Sequence, residues 1–336
     1  MTLITFPRGP TFAAQTPTAR APRLKIGLLN NMPDAAMAAT ERQFSSLLQV
    51  ATEGTPVTLK LFALSGVARG EAAEAYMRGR YQGAETLPDA RLDGLIVTGA
   101  EPRAPELDQE PYWPALTKVI DWSHQSGMST IWSCLAAHAA VQRLSRIRRQ
   151  QLPAKLSGVF ESLPAREDPL LSGVTSPLIT PHSRQNGLIE EDLVEKGYRI
   201  LTRSPHAGVD AFVRRGVGLS LYFQGHPEYD ADTLQREYFR DVGRFLNGRR
   251  PHHPNTPTGY FELEVEAALA ELSYHARRHP TPKLAPLYGA VLAKAAPTRT
   301  WRNSSVRIYR NWLRHIADAG RPAPLSNLRG FQQSPT

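Results

Sequence analysis

Four short apolar runs, at 24–30, 57–62, 92–98 and 129–134, punctuate the first half of this 336-residue chain, and each is followed by a turn. Runs this short and this rich in Leu, Ile and Val are too brief for helices and read as strands buried on both faces. Between them lie helix-like stretches at 35–50, with Pro33 near its first turn, at 112–126 and at 135–144. The segment 71–80 reads as helix or loop, and 81–90 as a linker. Strands alternating with helices at this spacing predict an α/β fold, a doubly wound, mostly parallel sheet flanked by helices. The second half is less regular: a strand at 155–160 after a basic loop (Arg146, Arg148, Arg149), a strand-to-loop passage at 178–184, and a hairpin over 211–223. A strongly helical stretch follows at 232–246, with extra C-terminal helices expected at 261–278, 285–295 and 304–317. The chain thus divides into a disordered lead-in (1–21), one α/β domain (22–250), a helical extension packing on that domain (251–319) and a loose tail (320–336).

In such sheets chemistry gathers at the carboxyl ends of the strands. Three segments fall there: Asn30-Asn31-Met32-Pro33, Thr98-Gly99-Ala100-Glu101, and Cys134. Cys134 is the only cysteine, and it sits on a strand-to-helix turn at the positive end of the helix dipole. Far downstream, Gly225-His226-Pro227-Glu228 closes another apolar strand. Cysteine, histidine and a carboxylate two residues on are the parts of an acyl-transferring triad, with Glu228 holding the His226 tautomer. A lone cysteine is more often a small core hydrophobe. The shared position of Cys134 and His226 at the ends of two strands tips the reading towards catalysis. A tetrahedral intermediate would need oxyanion donors, for which the Leu135 N–H and that of Gly99 or Ala100 are placed. His138, one turn past Cys134, reads as a packing or wall residue.

A formal charge of +9 favours anionic partners. The charges are scattered, without a helix-turn-helix, zinc-finger or aromatic-basic RNA signature, so a small polyanion such as a nucleotide or coenzyme A fits better than nucleic acid. No apolar run approaches 18 residues, which argues against a membrane span. The stretch before Asp34, the first acidic residue, lacks the apolar core of a secretory signal. One cysteine excludes an intrachain disulfide framework and a cysteine-rich zinc site, and fits a reducing cytoplasm. His252 and His253 are adjacent, not at ligand spacing, so no metal is expected.

Several stretches in one order carry a specific likeness: Leu95-Ile-Val-Thr-Gly-Ala100, Lys155-Leu-Ser-Gly-Val159, Pro181-His-Ser-Arg184 and Gly225-His-Pro-Glu-Tyr-Asp230, the last running on to Arg240. With Cys134 and the later Thr300-Trp301-Arg302 and Asn311-Trp312-Leu313, the chain resembles the homoserine O-succinyltransferase family of methionine biosynthesis. The likeness covers about 24–247 and resumes at 297–316. It implies a class I glutamine amidotransferase-like fold and a ping-pong acyl transfer without a cofactor, acyl-CoA being a co-substrate. Cys134 would take the acyl group, and His226, oriented by Glu228, would deprotonate the homoserine hydroxyl. The family's substrate-binding lysine and serine fall on Lys155 and Ser183, and its carboxylate-binding arginine on Arg240. A guanidinium can clamp an amino-acid carboxylate bidentately. Glu237, one turn earlier, could hold Arg240 or take the substrate ammonium. The resemblance also suggests a homodimer.

The chain departs from the family pattern at three places. The loop after Thr-Gly-Ala is Glu101-Pro-Arg-Ala-Pro-Glu-Leu107, and the position tied to donor choice aligns with Arg103. An arginine there would pair with the free carboxylate of a succinyl group, which favours succinyl-CoA over acetyl-CoA. The segment 261–295 reads as an insertion that could cover the site or build an interface, and Arg307, Arg310 and Arg314 form a basic stripe on the last helix. The turn Asn31-Met-Pro-Asp34-Ala35 replaces a lysine-rich one and removes positive charge near the cleft. The alternatives are acetyl transfer, serine as acceptor, a glutamine amidotransferase-type hydrolase and a non-catalytic binding protein. Against the hydrolase, Ser133-Cys134-Leu135-Ala136-Ala137 lacks the usual Gly-x-Cys-x-Gly elbow.

Overall fold

The computed structural model describes residues 4–5 and 23–319. The remainder of the expected lead-in and the tail at 320–336 lie outside the described residues. The parallel core consists of β2 (Leu24–Leu29), β3 (Val57–Ala63), β5 (Gly94–Val97), β6 (Thr130–Ser133) and β11 (Leu219–Phe223), ordered β3-β2-β5-β6-β11. Its free edge on β3 is shared by β1 (Ile4–Thr5), which pairs with Val57–Thr58, and β4 (Tyr81–Gly83), which pairs with Leu61–Ala63. The stretch 81–90 is therefore not a linker. It supplies an edge strand and a 3₁₀ turn, Ala84–Asp89, and three residues of strand are too short to show alternation.

Helices cover both faces, as continuous apolar strands require. On one face α3 (Trp113–Ser126) and the alanine-rich α4 (Leu135–Ser145) pack over Trp132, Val97 and Tyr222. On the other, α1 (Asp34–Ala51) and α9 (Arg302–Ala319) bury Phe44, Leu48, Tyr309 and Trp312 against Ile26, Ile96 and Ile131. The connection leaving β2 runs to β3 on one side, and the one leaving β5 runs to β6 on the other. The crevice between the ends of β2 and β5 is thus a topological switch point, where ligands bind in sheets of this kind. There Asn31 N–H donates to Thr98 Oγ1 at 2.8 Å, tying the two strand ends together.

Beyond β11 the sheet turns antiparallel through β10 (Gly208–Arg215), β9 (Arg199–Ser204), β7 (Gln150–Pro164) and β8 (Leu178–Gly187). β7 runs 15 residues, starting just after the basic loop and extending the expected strand at both ends, and pairs with β8 in a long ribbon. Its register places Ser157 opposite Ser183 and Leu156 opposite Arg184, with an irregularity just before Leu156. That break in the ladder frees Lys155 from strict alternation. β9 and the one-turn α5 (Glu190–Glu195) were not anticipated; α5 is short and charged, and β9 carries two arginines among its six residues. α6 (Thr233–Leu246) follows the His226 loop, while α7 (Leu263–Arg278) and α8 (Ala285–Leu292) close a separate apolar cluster around Tyr238, Tyr288 and Trp301. The 261–295 segment therefore braces the outer side of α6; it does not line the cavity. The arginine stripe of α9 is likewise structural in part: Arg310 and Arg314 both pair with Glu53 at 2.6 Å. α2 (Glu71–Met77) completes the set, and no helix among the described residues is long and apolar enough to cross a membrane.

Candidate active site

Cys134 joins β6 to α4 with φ 51° and ψ −114°. That conformation is strained for a residue with a Cβ and persists only where the surroundings over-determine it. Here they do. The Cys134 N–H donates to Phe223 O at the end of β11, 2.7 Å away, and the Cys134 carbonyl accepts from Ala137 N–H at 2.9 Å as the helix begins. The sharp turn lifts the thiol off the sheet end into a cavity of about 270 Å³. Gly99 lets the neighbouring strand end approach: a Cβ there would stand 3.2 Å from Leu135 N. Leu135, Gly99 and Ala100 accordingly line one wall together.

His226 enters from the end of β11. Its N–H donates to Pro181 O at 2.8 Å, its Nδ1 lies 2.9 Å from Glu228 Oε1, and its ring stacks on Tyr229 with centroids 4.2 Å apart. Burial opposes charging this imidazole. The charges of Cys134 and Glu228, with a hydrogen bond to each, outweigh it and hold the His226 pKa well above its usual range. That direction favours an imidazolium beside the Cys134 sulfur. Gly225 is required beside it, since a Cβ would fall 2.5 Å from Thr180 Cγ2 and 2.8 Å from Asp210 Oδ1. His182, in the expected strand-to-loop passage at 178–184, is fully buried behind this turn, with Nε2 3.4 Å from Asp210 Oδ1. His138 is also buried, its Nε2 2.9 Å from Gln224 Oε1, and burial pushes its pKa down to about 3. A ring so weakly basic suits a wall and not a proton carrier.

The opposite wall is cationic and comes from α6 and the β7–β8 ribbon. Lys155, Ser183, Glu237 and Arg240 all line the cavity that holds Cys134 and His226. Their pairing differs from expectation in one respect. Arg240 donates to Asp241 Oδ1 at 3.0 Å, not to Glu237. Glu237 instead accepts hydrogen bonds from Ser183 Oγ and, at 2.9 Å, from Tyr229 Oη. Asp241 is the hub: Lys155 Nζ lies 2.9 Å and Arg250 3.2 Å from its Oδ2. Burial would raise this carboxyl, but Lys155 and Arg240 hold it below the usual range.

The homoserine O-succinyltransferase family model matches residues 12–322 of the chain. The chain belongs to this family. Homoserine O-succinyltransferases of Rhodopseudomonas palustris and Bradyrhizobium japonicum are 45% and 46% identical to it over 300 and 304 residues, spanning 89% of this chain and 90% and 92% of theirs. Among solved structures, a glutamine amidotransferase from Methylobacillus flagellatus is similar at a TM-score of 0.48 and 16% identity, covering 87% of this chain and 94% of that one. Homoserine O-succinyltransferases are O-acyltransferases, and the family places this chain among enzymes of that class.

Within this member of the homoserine O-succinyltransferase family, two expected residues are absent from the cavity lining: Glu228, which holds His226 Nδ1, and Arg103. The Arg103 side chain is exposed and absent from the lining; its backbone N–H is held by Glu110 Oε1 at 2.6 Å. The loop is pinned from inside by that glutamate, which turns the Arg103 guanidinium towards solvent and Asp34. Asp241, Tyr229, Arg184 and Arg149 line the cavity without having been singled out. For Asp241 a signal existed: it lies four residues after Glu237, on the same helical face. Arg184 and Arg149 had none, because strand and loop arginines are usually solvated.

Proposed function

We propose that this chain is a homoserine O-succinyltransferase that moves a succinyl group from succinyl-CoA, through an acyl-cysteine on Cys134, to the hydroxyl of homoserine. The observation that carries the reading is the strained Cys134 elbow in one cavity with His226, which is held by Glu228 at 2.9 Å, opposite a wall of lysine and arginine side chains. In the first half-reaction Cys134 sulfur attacks the thioester carbonyl; its S–C bond forms, the CoA S–C bond breaks, and His226 gives its proton to the departing CoA sulfur. Acylation removes the Cys134 charge that supports the His226 proton, so burial now dominates and the imidazole stays neutral. It can then take the proton of the homoserine hydroxyl as the new O–C bond forms and the cysteine S–C bond breaks, which restores the ion pair. Glu228 keeps Nδ1 protonated so that the other ring nitrogen faces the reaction. Backbone N–H groups of Leu135 and of Gly99 or Ala100 would hold the oxyanion. Arg240 would clamp the amino-acid carboxylate, with Lys155, Ser183 and Glu237 completing its pocket.

The product is an activated ester whose acyl group a later sulfur-transfer step can displace, which suits methionine biosynthesis in a reducing cytoplasm. Intact mass spectrometry tests the scheme. A succinyl adduct on Cys134 that homoserine discharges is the expected result. An acetyl adduct alone would change the donor, discharge by serine alone the acceptor, and glutaminase activity without any adduct from CoA thioesters would replace the reading with the hydrolase.

A further inference from the structure

A succinyl group carries its free carboxylate about 4 Å from the carbonyl that Cys134 would attack, two methylenes away. That charge must be matched by a cation at the nucleophile's end of the cavity, because a buried unpaired carboxylate is costly. Among the described residues, six lysine and arginine side chains line the cavity: Arg149, Lys155, Arg184, Arg240, Arg244 and Arg250. Five are spoken for. Lys155, Arg240 and Arg250 converge on Asp241, and Arg244 pairs with Glu101 at 2.9 Å. Arg184 directs its three nitrogens at His182 Nδ1, Asn186 O and Ala207 O.

Arg149 differs. Among the described residues its only hydrogen bond is to Pro105 O at 3.4 Å, at the outer limit of such contacts, and no carboxylate lies within ion-pair distance. It is half-buried and lines the same cavity as Cys134, Leu135 and His138. Its surroundings are equally unfinished: among the described residues, buried Glu110 Oε2 and Tyr112 Oη, whose charges act on Arg149, have no hydrogen-bond partner. Glu110 also pins the 103–104 backbone, so Arg149 adjoins the root of the loop that Arg103 occupies.

We infer that Arg149, whose guanidinium is engaged only by Pro105 O and which lines the cavity that holds Cys134, binds the terminal carboxylate of a dicarboxylic acyl donor and sets donor choice. The inference rests on the proposed acyl transfer and deepens it. A planar fork offers two parallel hydrogen bonds to a carboxylate, which an ammonium cannot reproduce.

The test compares Cys134 acylation by succinyl-CoA and by butyryl-CoA, the same carbon chain without the carboxylate, using rapid-quench intact mass. The wild type should prefer succinyl-CoA by about 10- to 100-fold. Arg149→Gln should erase that preference while leaving butyryl transfer within about threefold, since a neutral amide repels neither donor. Arg149→Lys, which keeps the charge and loses the fork, should retain part of the preference, and it carries the test if the glutamine variant does not fold. A preference that survives in both variants, or a wild type with no preference, overturns the assignment while acyl transfer stands. A wild type acylated by neither donor overturns the proposed function and this inference together.

Discussion

The two walls of the cavity are built on different principles. The Cys134–His226–Glu228 wall is made by strand ends: β6 and β11 are hydrogen-bonded neighbours, and the Cys134 N–H to Phe223 O bond locks their tips together. Position there follows from backbone register, so few side chains are needed to hold the geometry. The facing wall is made of long side chains from α6 and the β7–β8 ribbon, gathered on one carboxylate, Asp241. Position there follows from charge pairing. On the proposed scheme, chemistry, which tolerates little displacement, falls on the stiffer wall, and recognition, which must admit and release substrates, on the wall whose parts can exchange partners.

The sharpest way to break this contrast is to remove the thiol. Cys134→Ala should lower turnover by roughly 10⁴-fold or more and abolish any acyl-enzyme in the intact mass, with homoserine binding by calorimetry little changed. A variant that still accumulates adduct would place the chemistry elsewhere. The next largest effect should come from Gly225→Ala, which alters no reacting group. The new Cβ would press on Thr180 and Asp210 and push the His226 backbone off register. Turnover should fall about 100-fold with the amino-acid KM nearly unchanged. A KM effect without a kcat effect would mean that the strand-end wall is less rigid than its hydrogen bonds indicate.

pH separates the walls more gently. A raised folded-state pKa on His226 means that its proton stabilises the fold fully below the unfolded value of about 6.5, and that this contribution is lost as pH rises through the higher folded value. The acylation rate should fall on that same alkaline limb, about tenfold per unit at the steepest, because the proton destined for CoA is gone. Deacylation, with the Cys134 charge removed, should show no such limb and should instead rise from the acid side. Single-turnover measurements of each half-reaction check this, and parallel profiles would refute the charge coupling.

The same contrast explains what could be read in the sequence. Apolar runs announce buried strands, and a cysteine, a Gly-His-Pro-Glu turn and a Thr-Gly-Ala at their ends announce the backbone-built wall, because its logic is local. β9, β4 and α5 were hidden since short edge or charged elements carry no periodicity. Asp241 as hub, Arg184 as a buried donor and the outward turn of Arg103 were hidden because each depends on which charges meet across distant segments: Lys155 and Asp241 are 86 residues apart. His182 shows the same limit, its burial set by Asp210 from another strand.

Asp241→Asn should sharpen the charge-built wall by the smallest of these changes, since the substitution is isosteric. Lys155, Arg240 and Arg250 would then lose their shared anion, and three like charges would crowd one buried amide. Because Arg240 and Arg250 keep some solvent, the stability loss should be about 2 kcal/mol, below that of a wholly buried pair. Asp241 has a depressed folded-state pKa, so its contribution is present above the unfolded carboxyl pKa and is lost as pH falls through the folded value. The variant should therefore be less stable than the wild type at neutral pH and converge with it in acid. In kinetics the homoserine KM should rise about tenfold, as Arg240 and Lys155 swing away from their aim, with the rate of Cys134 acylation unchanged. Acylation that slowed in step with KM would show that the two walls are one unit, and that the rigidity of the strand ends depends on the charges facing them.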